Sequence, residues 1–108
     1  MSRTVVLLQT AADDLQEIRR YIRKNFSQQV WLDSYARINK AILNLEQFPY
    51  AGHPLPELPA THFMQIVAVK NRVIYEVVAD KVYIHLICDS RQDFKIKLAR
   101  RPLRTLRF

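Results

Sequence analysis

Arg72 and Arg91 are the residues of this 108-residue chain best suited to grip a phosphate. Each falls at the edge of an expected strand, and a guanidinium offers a planar fork of N–H groups that matches two oxyanion oxygens. The plainer use of each is a surface ion pair, Arg72 with Glu76 and Arg91 with Asp93. His85 is the third candidate, because an imidazole titrates near neutrality and can carry a proton. Under regular alternation it shares a strand face with Tyr83 and Ile87, a setting that equally suits a packed histidine. Tyr75 points to the face opposite Arg72 by the same rule and reads as core. His53 and His62 stand nine residues apart around an irregular segment, so no pairing can be read from them. No group of His, Asp and Glu has metal-ligand spacing. The single cysteine, Cys88, excludes an internal disulfide and a zinc site built on paired cysteines, and its apolar neighbours make it an inert core thiol. No metal and no cofactor are expected. The single glycine, Gly52, excludes glycine-rich phosphate loops.

The charge is unevenly placed. Seventeen Lys and Arg against ten Asp and Glu give a net charge of +7. Arg91, Lys95, Lys97, Arg100, Arg101, Arg104 and Arg107 meet one acid near the end, Asp93, so the chain before them is close to neutral. A cationic end of this kind meets something acidic, such as nucleic acid or an acidic protein groove. Arg91, Lys95, Lys97, Arg100, Arg101 and Arg104 are the candidate target-binding residues. The only early apolar run, Val5 to Leu8, is too short for a signal-peptide core or a membrane span. A soluble, cytoplasmic, one-domain chain spanning 1–108, with no membrane partner, is the expectation.

The elements that must position these residues follow from periodicity. Thr4 to Leu8 is β-branched and apolar, a short strand. Thr10 is the expected cap of a first helix, with Asp13 three residues on. Ala11, Leu15, Ile18 and Ile22 form its apolar stripe, and it ends near Asn25. Ser27 caps a second helix whose stripe is Trp31, Tyr35, Ile38, Ile42 and Leu45, stopping before Pro49. The short link makes the two an antiparallel hairpin that packs on a sheet. Pro49, Gly52, Pro54, Pro56 and Pro59 define an extended loop. Phe63 to Val69, Arg72 to Val78 and Val82 to Cys88 then form an antiparallel meander, with Asn71 in the first turn and the last strand central. The fold class is α+β: an N-terminal strand and a helical hairpin on a small antiparallel sheet, with a short basic C-terminal helix or tail.

Four segments in this order resemble the RelE/ParE toxin superfamily. Ala12 to Ile18 with Tyr21-Ile22 is similar to its first helix. Ala41 to Leu45 with Pro49 and Gly52 is similar to its second helix and exit. Arg72-Val73-Ile74-Tyr75-Glu76-Val77 resembles its R-V-I-Y-x-V strand, and Ile87 to Asp93 its last strand and R-x-D turn. The resemblance runs from about Thr4 to Leu103. It implies the toxin half of a bacterial type II toxin–antitoxin pair, neutralised by a cognate antitoxin. ParE-like members of the superfamily poison DNA gyrase, whereas RelE-like members cut messenger RNA in the ribosome.

Metal-free RNA cleavage needs a base for the 2′-hydroxyl, a cation for the phosphate and an acid for the leaving oxygen. Under the RelE-like reading Arg72, Arg91 and His85 would be the catalytic residues. Two departures weaken that reading. Many relatives carry Arg or Lys where Met64 stands. Near the end only Phe94 and Phe108 occupy the place where cleaving members often have an aromatic or His, and a phenyl ring stacks but moves no proton. The expectation therefore tilts toward ParE-like action on gyrase, with RelE-like cleavage as the alternative.

Overall fold

A computed structural model describes residues 3–89. The strands and helices are β1 (Thr4–Leu7), α1 (Gln9–Asn25), α2 (Gln28–Asn44), β2 (His53–Pro54), β3 (Met64–Ala68), β4 (Asn71–Val78) and β5 (Lys81–Asp89). The basic C-terminal helix or tail, with Arg91 and the other C-terminal bases, lies outside the described residues.

One five-stranded sheet has the order β1-β5-β4-β3-β2, with the helical hairpin on one face. The meander is antiparallel as expected, but β1 joins β5 in parallel, Thr4 opposite Lys81 and Leu7 opposite Ile84. The sheet is therefore mixed. A two-residue turn forces antiparallel pairing; β1 has no such turn, since Leu8 leads straight into α1, and it pairs with a strand far along the sequence. β5 is interior, but the middle place of the sheet, expected for β5, goes to β4.

The hairpin loops are Val69-Lys70 and Ala79-Asp80, closed by Ala68 opposite Asn71 and Val78 opposite Lys81. Val69 has φ 59° and Ala79 φ 54°. Tight hairpin turns need positive φ to follow the twist of their strands. The left-handed residue is thus Val69, not Asn71, which is the buried first residue of β4. A β-branched residue in that region is strained.

Ser27 caps α2 as expected, its Oγ accepting the Val30 N–H at 3.1 Å. Thr10 does not cap α1. The helix starts two residues earlier than expected, at Gln9 with Leu8 in the cap position, and the Thr10 hydroxyl donates to the His85 carbonyl at 2.7 Å. Of the α2 stripe, Trp31, Ile38, Ile42 and Leu45 are buried, while Tyr35 is 43% exposed.

Between helices and sheet lies the main core, with Ala11, Ile38, Ile42, Leu45, Val73, Tyr75, Val82, Ile84 and Ile87. A second cluster, Leu55, Phe63, Ile74, Leu86 and Cys88, occupies the sheet's other face. The proline loop is not wholly irregular, since His53-Pro54 pairs with Met64-Gln65 at the sheet edge. Gly52 is required there by space. A Cβ on it would run into the Gln65 carbonyl oxygen and come within 2.6 Å of Tyr75 Oη.

Candidate functional site

Arg72, Glu76 and His85 share the sheet face turned away from the helices. On β4 the odd residues Val73 and Tyr75 enter the helix-side core, so the even residues Arg72, Ile74 and Glu76 take the other face. Tyr75 lies opposite Arg72 as expected. It is fully buried, and its Oη accepts the Gly52 N–H at 3.1 Å.

β5 is less regular. Ile74 faces Leu86 and Tyr75 faces Ile84, so His85 is an extra residue with no counterpart on β4. Such a bulge re-aims the side chains beyond it. Val82 and Ile84 point into the helix-side core, then Ile87 does, one residue out of phase with strict alternation. His85 therefore does not share a face with Ile87. The sequence offered no sign of this, because every residue from Ile84 to Cys88 fits either face.

His85 is 1% exposed, and its Nε2 lies 2.9 Å from Glu76 Oε1 on a residue 4% exposed. Phe63 sets its ring edge-on to the imidazole at 5.1 Å. The histidine is sealed by a carboxylate and an aromatic ring. It has no exposed surface on which to meet a substrate.

Arg72 is paired, but not with Glu76. Its Nη1 and Nη2 donate to Glu57 Oε2 and Oε1 at 2.8 and 3.0 Å, and its Nε donates to Gln65 Oε1 at 2.7 Å. The bond with Glu57 raises the guanidinium's pKa above its ordinary value, against partial burial that lowers it. Glu57 escaped the sequence reading because it lies in the proline loop, fifteen residues before Arg72. The signal that could have found it is its place as the one acid between Leu55 and Phe63.

His53 and His62 are both exposed. Cys88 is buried, opposite Arg72 in the β4–β5 register. Among the described residues no group of three or more His, Cys, Asp or Glu is placed to hold a metal ion. No helix among them is long and apolar enough to cross a membrane. Arg91, Lys95, Lys97, Arg100, Arg101 and Arg104 lie outside the described residues.

The helix side carries a second feature. A groove of about 590 Å³ runs between the hairpin and the β3–β4 turn, its apolar lining from Ile18, Tyr21, Ile22, Phe26, Val30 and Val69 bordered by Glu17, Ser34, Lys70, Asn71 and Asp89. Tyr21 is 54% and Phe26 64% exposed there, a large apolar surface for so small a fold.

Comparison with known proteins gives this geometry a family. The solved chromosomal ParDE toxin–antitoxin system of P. aeruginosa contains a chain similar to this one, with a TM-score of 0.70 at 18% identity, over 82% of this chain and 96% of that one. The toxin–antitoxin complex RelBE2 of Mycobacterium tuberculosis contains another, with a TM-score of 0.59 at 20% identity, over 82% and 99%. No curated protein matches the sequence. The family model described as the ParE toxin of the type II toxin–antitoxin system parDE matches residues 5–94. With nearly the whole described body inside that match, the chain belongs to the ParE toxin family of type II toxin–antitoxin systems.

Proposed function

We propose that this toxin arrests growth by protein–protein contact with DNA gyrase, and that a cognate antitoxin neutralises it. The observation that carries the choice of target is the engagement of two of the three nominated cleaving groups, Arg72 and His85, inside the fold; the third, Arg91, lies outside the described residues. Arg72 gives its fork to Glu57, and His85 is sealed against Glu76. General acid–base chemistry needs a group within reach of the proton it moves. A binding poison has no such need. The family match supports the ParE side of the superfamily.

Both structural relatives come from toxin–antitoxin complexes. The apolar groove beside Tyr21 and Phe26 suits burial under an antitoxin's apolar side chains. The cationic C-terminal residues suit its acidic ones.

Controlled expression in bacteria tests the target. Gyrase poisoning gives filamentation and the DNA-damage response, with messenger RNA left whole. Translation arrest within minutes, with messenger cuts at ribosomal A-site codons, would replace this reading with the RelE-like one.

A further inference from the structure

The segment that carries Glu57 consists of two successive turns of one design. In Leu55-Pro56-Glu57-Leu58 the Leu58 N–H donates to the Leu55 carbonyl at 3.2 Å. In Leu58-Pro59-Ala60-Thr61 the Thr61 N–H donates to the Leu58 carbonyl at 3.1 Å. Each turn has proline at its second position, where the ring's fixed φ suits the bend. Leu55 and Phe63, 0% and 2% exposed, anchor the ends against Ile74, Leu86 and Cys88. The first turn delivers the Glu57 carboxylate to Arg72, with side chains 24% and 14% exposed.

Two buried apolar anchors hold the ends of the segment, apart from the ion pair. Its distinctive effect lies on Arg72. A carboxylate presents to a guanidinium fork the same two-oxygen edge that a phosphate does. Here the oxygens belong to the chain itself, and Gln65 takes Nε from the side. We propose that Glu57 is a built-in plug: it competes with phosphate for Arg72, and this sheet face binds a phosphate group only when that carboxylate is displaced or neutralised. The inference goes beyond the reading above, since it concerns what this sheet face can bind. It does not depend on which target the toxin meets in cells.

The test uses the purified full chain and a fluorescein-labelled single-stranded oligonucleotide followed by anisotropy. Glu57→Gln keeps the size and one acceptor oxygen but removes the charge and replaces the other acceptor with a donor. It should bind about tenfold more tightly than the parent, about 1.4 kcal/mol. Its log K against log salt should steepen by about 0.7, the value for one added phosphate contact on a single strand. Glu57→Ala should move the same way. Glu57→Gln with Arg72→Gln should return to the parental affinity, the C-terminal bases being common to all variants. Inorganic phosphate competing at low millimolar concentration would identify free phosphate as the ligand; no competition would identify the nucleic-acid backbone. Equal affinity of parent and both Glu57 variants, with unchanged melting curves, would overturn the proposal. So would a gain that survives Arg72→Gln. The cellular phenotype that tests gyrase is unaffected by either result.

Discussion

The Asp14 carboxylate on α1 accepts the backbone N–H of Ile87 on β5 at 2.9 Å, in the interior of the fold. It completes a substitution that begins where β1 stops. β1 ends at Leu7 opposite Ile84, and from there the first turns of α1 take over the edge of β5. The Leu8 N–H donates to the Ile84 carbonyl at 3.1 Å, the Thr10 hydroxyl to the His85 carbonyl at 2.7 Å, and Asp14 takes the Ile87 N–H. A buried strand edge is costly to leave unmet, and a bulged one offers no regular register to a neighbouring strand. Asp14→Ala removes the acceptor for Ile87 and should cost about 1–3 kcal/mol. Urea unfolding should show the midpoint falling with the slope unchanged. An unaltered midpoint would show that this bond contributes nothing.

Tyr75 couples the proline loop to the sheet through its bond from Gly52. Burial raises its phenol above the ordinary value of 10, with the Gly52 N–H working in the opposite direction. A folded state that holds the proton where the unfolded chain releases it is penalised at high pH. The stability tied to this proton should be full below about pH 10 and decline as pH rises past it. Tyr75→Phe keeps the ring, gives up the Gly52 acceptor and should flatten that decline. Unfolding free energies measured at pH 8, 9.5 and 10.5 on both proteins check this, and parallel pH curves would count against it.

Much of the fold was legible because its signals are local. The α2 cap at Ser27, the end of α1 at Asn25 and the three meander strands each rest on neighbouring residues. What was not legible is non-local. Thr10 looks like a helix cap by every sequence rule, but its hydroxyl serves a strand seventy-five residues away. Val69 rather than Asn71 takes the strained turn position because register, not residue preference, sets where a two-residue loop falls. Arg72 and His85 were nominated from residue chemistry alone. The partner of Arg72 was misread and that of His85 was not foreseen, since Glu57 reaches Arg72 only through a proline turn and Glu76 reaches His85 only across a bulge.

The His85–Glu76 pair separates a structural from a chemical role. Removing one member of a buried pair costs about 3–5 kcal/mol, because the other is left in a site too poor in water to serve it. His85→Leu alone should therefore destabilise strongly, whereas Glu76→Leu with His85→Phe should cost much less than the sum of the single changes. If the pair is structural, growth inhibition in cells should follow the folded fraction, and the double variant should stay toxic. A double variant that melts like the parent but fails to inhibit growth would restore His85 as a proton carrier.

Ending the chain after Leu98 removes Arg100, Arg101, Arg104 and Arg107 together with Leu103, Leu106 and Phe108. Every described member of the two hydrophobic clusters lies before Asp89 and is kept in the shortened chain. The matched family region ends at residue 94, so it too stays whole. If the described core is enough to close the fold, the truncated chain should melt as the parent does. Four fewer cations should weaken attraction to an acidic or nucleic-acid-bearing target, an effect strongest at low salt and outside the reach of the buried core. Truncated protein is expected to be folded by circular dichroism and unable to arrest growth on induction. Full growth arrest by the truncated chain would place the toxic surface on the body itself, and the groove beside Tyr21 and Phe26 would become the first surface to mutate.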